Sequence, residues 1–161
     1  MMVDNIIAKP NWTDVNDACK LLVDKINHQG HNIQYIVGIT RGGLIPSVII
    51  SHLMGIPTVT VSYSSHSGAG DNKFYNNELP DIQSTIHRDK IISGFPEILV
   101  VDDICDSGET MADVCSIYED KGHKVHSLSL YHKEGSVFTP DFHWQHIPKD
   151  SGWITFPWED L

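Results

Sequence analysis

The first periodic segment of the chain covers residues 13–29. Its apolar residues recur every three or four positions, which is the spacing of one face of an amphipathic helix. They are Val15, Ala18, Cys19, Leu22, Val23 and Ile26. Thr13 is a suitable N-cap and Gly30 follows the segment, so the pattern predicts a helix between these two residues.

Beyond this helix, short apolar runs rich in β-branched residues alternate with helical patterns. Residues 35–40 predict a buried strand, and a glycine break then leads into a helix over residues 44–54. The later segments are strands at 57–63, 97–101 and 125–131, with a helix from about Met111 to Gly122 before the last strand. This alternation predicts an α/β fold, a mostly parallel twisted sheet flanked by helices, with ligands at the carboxyl ends of the strands.

One connection does not fit this compact pattern. Residues 64–90 are polar and rich in Gly, Asn and Ser, and they are too many for an ordinary link between two elements. We expect a long mobile loop, at about residues 63–90, that covers a site. A plain disordered insertion is the alternative.

Composition narrows the classes of protein. A chain of 161 residues with 40% hydrophobic content has the size of one domain. The formal charge is −10 and there are only two arginines, so no basic face for nucleic acid is expected. No apolar stretch is long enough for a membrane span, and no signal peptide is visible.

The cysteines and histidines give a weaker indication. Three cysteines without C-x-x-C spacing argue against a disulfide framework and a zinc knuckle, so we expect a reducing, cytoplasmic compartment. The ten histidines are scattered and show no i, i+4 pair on a clear helix. We therefore expect ordinary histidines rather than a histidine metal site.

The strongest chemical signal lies in residues 98–110, ILVVDDICDSGET. An apolar strand reaches two adjacent acids, Asp102 and Asp103, which can accept hydrogen bonds from a vicinal diol and attract a divalent cation. The loop that follows offers backbone amides, hydroxyls and the positive end of a helix dipole, which suit a phosphate monoester. Its residues are Asp106, Ser107, Gly108, Glu109 and Thr110. Phosphate, diol and metal together indicate a ribose phosphate.

A plainer interpretation is that the two acids solvate a turn and that Asp106 or Ser107 caps a helix. The complete run, however, closely resembles the phosphoribosyl pyrophosphate motif of type I phosphoribosyltransferases. The resemblance implies that Asp102 and Asp103 hold the ribose hydroxyls, that Asp103 contacts Mg²⁺, and that Asp106 lies beneath the reacting base. The 5-phosphate would be wrapped by the loop, through the hydroxyls of Ser107 and Thr110, the backbone of Gly108 and the amide of Glu109.

A second match is GITRGGLIPS, whose turn contains Thr40, Arg41, Gly42 and Gly43. Glycines let a backbone approach an anion, and an arginine adds a forked donor. Alone this pattern is more often a tight turn. In the resembled family the same turn binds the pyrophosphate leaving group and often contains a non-proline cis peptide, which we therefore expect at Thr40-Arg41.

The C-terminal sequence DSGWITFPWEDL, with Lys133 upstream, resembles the base-binding hood of the short bacterial xanthine-guanine phosphoribosyltransferases. The resemblance implies that Trp153 stacks on a purine, that the backbone at Ile154 reads its edge, and that Lys133 donates to a 6-oxo group. The alternative is that the tryptophan fills a core and the lysine faces water. Ser62, Tyr63 and Lys73 are further candidates, as a hydroxyl pair and a cation of the closing loop.

Together these features predict an enzyme of purine salvage. It would transfer ribose 5-phosphate from phosphoribosyl pyrophosphate to guanine, xanthine or hypoxanthine, with Mg²⁺ as cofactor and Asp106 as acid or base. A transferase for another base is the nearer alternative, and a phosphoribosyl pyrophosphate-sensing regulator of this fold the more distant one.

The predicted organisation is a single domain, residues 1–161. Its core covers about 13–135, and the hood combines 136–161 with the N-terminal segment. We also expect a homo-oligomer, a dimer or tetramer, although nothing in the sequence fixes the number of subunits.

Overall fold

The computed structural model describes residues 8–63 and 95–160, which form three helices and five strands. Lys73 and nearly all of the expected loop lie outside the described residues. In chain order the elements are α1 (Trp12–His28), β1 (Tyr35–Ile39), α2 (Leu44–Met54), β2 (Thr58–Val61), β3 (Ile98–Cys105), α3 (Glu109–Asp120), β4 (Val125–Lys133) and β5 (Phe142–Ile147). No helix among the described residues is long and apolar enough to cross a membrane.

The five strands form one sheet in the order β2-β1-β3-β4-β5, and every neighbouring pair is parallel. β1 and β3 lie in the interior of the sheet, and every residue of β1 is buried. The predicted α/β fold with a parallel sheet is therefore confirmed. Because the strands are parallel, their carboxyl ends lie along one edge of the sheet.

Side chains on the two faces of the sheet belong to two separate core clusters. On one face, α1 and α2 pack against β3 and β4 through residues such as Leu22, Ile50 and Leu99. On the other face, α3 packs through Met111, Val114 and Tyr118. The alternation along β3 explains this division, since Leu99 and Val101 join the first cluster while Ile98 and Val100 join the second. These helices hold the strand ends, and hence the site, in place.

The first helix begins earlier than the sequence pattern predicts. Its N-cap is Asn11, not Thr13, because Asn11 and Asp14 form a capping box. The Asn11 side chain accepts a hydrogen bond from the Asp14 amide at 2.9 Å, and the Asp14 carboxylate accepts one from the Asn11 amide at 2.8 Å. The prediction of a helix end before Gly30 is confirmed.

Two strands differ most from the predicted pattern. β3 continues to Cys105, so both acids of the first motif lie within the strand rather than after it. β5 was not predicted as a strand, because its sequence FHWQHI is mostly polar or aromatic. It pairs with β4 at the edge of the sheet.

Candidate active site

The two predicted motifs meet at the carboxyl ends of β1 and β3. The turn at residues 40–43 follows β1, and the Thr40-Arg41 peptide bond is cis, as expected. Thr40 is held to β2, since its amide and its hydroxyl both donate to the Val61 carbonyl, at 2.8 and 3.1 Å. The Arg41 side chain is exposed. The turn therefore fixes its backbone on the sheet and presents a cation outward.

The two glycines of this turn lie directly against the acid pair. A Cβ atom added to Gly42 would collide with the Asp103 carboxylate, and one added to Gly43 would come within 2.5 Å of the Ile39 and Val101 carbonyl oxygens. Both contacts are too short for any side chain. Glycine at these positions is thus what allows the two motifs to touch.

The acid pair is half-buried and tightly constrained. Asp102 Oδ1 accepts a hydrogen bond from the Asp103 amide at 2.9 Å, and Asp103 Oδ1 accepts one from the Ile104 amide at 2.8 Å. Burial raises the pKa of Asp102 well above its usual value, and the neighbouring Asp103 charge raises it further. Burial also raises the pKa of Asp103; hydrogen bonds from Asp102 and the Ile104 amide lower it in part, and the charge of Glu159 raises it. The two carboxylates therefore repel each other where water only partly screens their charges. A bound cation would reduce this repulsion.

The loop between β3 and α3 has the form expected of an anion site. Gly108, not Asp106, is the N-cap of α3, with φ of 84°, so the cap residue itself offers no side chain. The Ser107 hydroxyl accepts a long hydrogen bond of 3.4 Å from the Glu109 amide, so the alternative of a Ser107 cap is met only in this weak form. A Cβ atom on Gly108 would collide with the Ser136 hydroxyl, so glycine is required both by φ and by this contact. The Ser107 carbonyl accepts a hydrogen bond from the Val137 amide at 2.8 Å, which anchors the loop.

Two cavities of similar size adjoin at this loop. The first, about 260 Å³, is lined by Asp102, Ile104, Cys105, Asp106, Ser107, Gly108, Thr110 and Met111. The second, about 280 Å³, is lined by Asp103, Ile104, Asp106, Lys133, Ser151, Gly152, Trp153, Ile154, Phe156 and Glu159. Ile104 and Asp106 line both. The first cavity thus contains the predicted phosphate loop, and the second brings together the three predicted base-binding residues.

Lys133 lines the second cavity and forms an ion pair with Asp106, which lines both cavities. Its Nζ lies 3.3 Å from Asp106 Oδ1, and its side chain is 22% exposed against 57% for Asp106. On the other wall, Trp153 is 78% exposed whereas Ile154 is 4% exposed. Trp153 therefore fills no core, contrary to the alternative considered from the sequence. Its indole is free to contact a ligand.

Comparisons with known proteins agree with this geometry. A family described as the phosphoribosyl transferase domain matches residues 11–159. The chain belongs to the phosphoribosyltransferase family. Xanthine-guanine phosphoribosyltransferases of Ruegeria sp. and Cereibacter sphaeroides are 32% and 28% identical over 92% of the chain and 83% and 84% of their own lengths. A purine phosphoribosyltransferase structure from Pyrococcus horikoshii is 26% identical, with a TM-score of 0.71 over 95% of this chain and 94% of the other. The fold, the family and the enzyme class predicted from the sequence are confirmed.

The site of this phosphoribosyltransferase contains residues that the sequence analysis did not select. Ile104 and Phe156 supply apolar walls, while Ser151 and Glu159 add polar groups to the second cavity. The Ser151 hydroxyl is buried and has no hydrogen-bond partner among the described residues. Glu159 Oε2 accepts a hydrogen bond from the Phe156 amide at 3.0 Å. Ile104 lies on β3 beside the acids, whereas Ser151, Phe156 and Glu159 reach the cavity only through the folded C-terminal segment, so no local pattern identifies those three.

Tyr63, considered from the sequence as part of a closing loop, lies at the edge of the described region. Its hydroxyl donates to Asp113 Oδ2 on α3 at 3.1 Å. Its partner is thus a helix side chain, and it lines neither cavity.

Proposed function

We propose that this phosphoribosyltransferase joins the ribose 5-phosphate of phosphoribosyl pyrophosphate to a 6-oxopurine, as a salvage enzyme. The observation that carries this proposal is the pair of adjoining cavities that share Asp106. One has the loop geometry of a phosphate site, and the other has a lysine and an exposed indole. A sugar bonded to phosphate at one end and to a base at the other spans such a pair.

In the first cavity the 5-phosphate would meet the amino end of α3. The loop residues Ser107, Gly108 and Thr110 line it, and the helix dipole favours an anion there. The amide of Glu109 belongs to the same turn, while its side chain is exposed and turned toward water. We assign Asp102 and Asp103 to the ribose hydroxyls, because they lie between this loop and the β1 turn.

The pyrophosphate group would lie against the turn after β1. Thr40 fixes the turn, Gly42 and Gly43 bring its backbone close, and Arg41 supplies a positive charge. Mg²⁺ fits the donors present, since hard cations bind carboxylate oxygens, and Asp103 is the residue that we assign to it. When bound, the ion neutralises charge on the leaving pyrophosphate.

The base would occupy the second cavity. Lys133 is a donor only, so it rewards a 6-oxo acceptor and cannot pair with a 6-amino group. Trp153 offers a ring face for stacking, and the buried Ile154 places its backbone at the base edge. Asp106 lines both cavities and is our catalytic residue, which accepts or returns a proton on the base nitrogen; such a role is typically worth about 100-fold or more.

Several expectations remain predictions of this proposal. These are the single domain with its hood from 136–161 and the N-terminal segment, the homo-oligomer, and the cytoplasmic compartment. The three cysteines are free and buried, which accords with a reducing compartment. β5 belongs to the sheet. Among the described residues, the part of the predicted hood that would bind the base is therefore the segment after Ile147.

The decisive experiment measures kcat/KM for guanine, xanthine, hypoxanthine and adenine in two variants. Lys133→Ala should lose discrimination between guanine and adenine, because it removes an oriented donor. Trp153→Ala should lower kcat/KM for every purine by about 5- to 150-fold, since stacking acts on any ring and is worth roughly 1–3 kcal/mol. One variant should be selective and the other uniform.

Exposed residues that line neither cavity provide matched controls. Lys20→Ala removes a lysine from α1, and Phe95→Ala removes an exposed aromatic ring before β3; both should leave all four constants unchanged. A wild type that prefers adenine or a pyrimidine would refute the 6-oxopurine assignment. An unchanged base ranking in Lys133→Ala would refute the role of the lysine.

A further inference from the structure

Three histidines converge at the outer edge of the sheet. His132 lies on β4, and His143 and His146 lie on β5. One ligand atom from each residue lies within 4.8 Å of the other two. None of the three lines either cavity of the proposed active site. The sequence analysis expected no histidine metal site, because its criterion of i, i+4 pairs on a helix misses ligands contributed by two strands.

The local structure of β5 produces this convergence. The parallel register places His132 opposite His146. Strict alternation would put residues three apart on opposite faces. However, Phe142, Trp144 and Ile147 all pack in the first core cluster, so the alternation shifts by one residue before Ile147. His143 and His146 therefore share the other face of the sheet with His132.

The polar atoms of this cluster are incompletely satisfied. The Nδ1 atoms of His132 and His146 face each other at 3.2 Å, so one must donate to the other. His143 Nδ1 is buried and has no hydrogen-bond partner among the described residues. The Pro140 carbonyl is near enough to raise the pKa of His143, yet it makes no hydrogen bond of ordinary geometry to that atom. Buried polar atoms without partners are uncommon and indicate an unseen ligand or water.

The spacing and chemistry suit a transition metal. Two imidazole nitrogens on a tetrahedral Zn²⁺ ion are separated by about 3.3 Å, given Zn–N distances of about 2.0–2.1 Å. The 3.2 Å separation of the two Nδ1 atoms matches this edge.

We propose that His132, His143 and His146 form a binding site for a divalent transition metal ion such as Zn²⁺, separate from the Mg²⁺ of the active site. His146 is exposed, so the fourth position would face solvent. The ion would tie β4 to β5 immediately before Lys133 and Ile147, which pair across these two strands. Its expected effect is to stabilise the strand ends that present Lys133 to the second cavity.

A second group, His31, Glu97 and His126, is less suited to a metal. Its carboxylate oxygen Oε1 already pairs with His126 Nε2 at 2.6 Å and Lys124 Nζ at 3.2 Å. A cation there would compete with the lysine ammonium. This group nonetheless provides a comparison within the same protein, because two of its three residues are also histidines.

The test uses the full chain without a polyhistidine tag. Zn²⁺ binding is measured by calorimetry, and Co²⁺ is added separately as a spectroscopic probe of tetrahedral nitrogen ligation. The wild type should bind one Zn²⁺ ion, which raises its melting temperature, whereas Mg²⁺ at the same concentration should not. His146→Ala, which removes an exposed ligand, should weaken Zn²⁺ binding by at least about 100-fold and abolish the Co²⁺ spectrum.

Two further variants make the result decisive. His143→Ala should behave as His146→Ala does, and His52→Ala, an exposed histidine on α2, should bind as the wild type does. The proposal is overturned if the wild type binds no Zn²⁺, or if His146→Ala binds it equally well. Loss of binding in His31→Ala but not in His146→Ala would assign the metal to the other group and also overturn it.

Discussion

Replacing Gly42 by alanine perturbs the contact between the two motifs. The new Cβ atom would overlap the Asp103 carboxylate, whose three terminal atoms are its nearest neighbours. A carboxylate is the movable end of a side chain, so the fold can accommodate the methyl group. The carboxylate must then leave its position in the site.

The size of the effect follows from the displacement. Relieving the overlap requires the Asp103 carboxylate to move by roughly 1 Å or more, and a 1 Å misplacement in a site can cost on the order of 100-fold in rate. The move also strains the 2.8 Å hydrogen bond from the Ile104 amide, worth about 1 kcal/mol. We therefore expect kcat/KM for phosphoribosyl pyrophosphate to fall about 100-fold, with the melting temperature lower by only about 2–4 °C.

Gly43→Ala is the matched comparison, because its Cβ would meet backbone instead. Two carbonyl oxygens, of Ile39 and Val101, lie at 2.5 Å and cannot move without distorting β1 and β3. Overpacking of this kind costs about 1–3 kcal/mol, so this variant should lose more stability than Gly42→Ala. Gly152→Ala, where no atom lies within 4 Å of the added Cβ, should be as stable as the wild type.

The assay is therefore a pair of measurements on each variant, thermal unfolding and initial rates with phosphoribosyl pyrophosphate varied. Wild-type kcat/KM in Gly42→Ala would refute the placement of Asp103 at the substrate. Equal stability of Gly43→Ala and the wild type would refute the close approach of the turn to β3.

Two further predictions concern the core and the first helix. Burial raises the pKa of Cys19 and Cys115 to about 12 and also raises that of Cys105. All three thiols should therefore resist a disulfide reagent at neutral pH until the protein is unfolded, and rapid reaction of any one in the native protein would contradict this. Asn11→Ala should lower the free energy of unfolding by about 1 kcal/mol, because the capping box is lost. Asp17→Ala, which changes an exposed residue of the same helix, should lower it by less than about 0.5 kcal/mol, and equal effects would exclude the cap as the cause.

Much of the fold could be predicted because its signals are local. The glycine break after β1 and the largely apolar segment LIPSVIISHLM specify α2 with its observed bounds. The edge strand β5 could not be predicted, because only Phe142 and Ile147 of its six residues are fully buried and its alternation shifts by one residue. The cap at Asn11 shows a different difficulty, since both Asn11 and Thr13 have capping side chains and only the reciprocal bond to Asp14 distinguishes them.

The site divides in the same way. Residues 102–110 form one continuous segment, so a single stretch of sequence contains both the acids and the phosphate loop. The second cavity is assembled from β3, β4 and the C-terminal segment, and Lys133 and Trp153 could be selected only through a family resemblance. Ser151 and Glu159 have no distinguishing sequence context. Their position depends on how the terminal segment folds back over Ile104.

The net charge of −10 raises the question of how this site would hold a highly anionic substrate. Asp103, Asp106 and Glu159 all line the second cavity, and Lys133 is the cation among its lining residues. Because Lys133 already lies 3.3 Å from Asp106, little positive charge is left over for phosphates. Backbone amides at α3 and the Arg41 turn supply part of the compensation. The remaining repulsion falls on the half-buried acid pair, where burial raises the pKa of both carboxyl groups because negative charge is unfavourable there. A divalent cation held by Asp103 would lower that cost and neutralise charge on the pyrophosphate, so we expect the proposed activity to depend on metal.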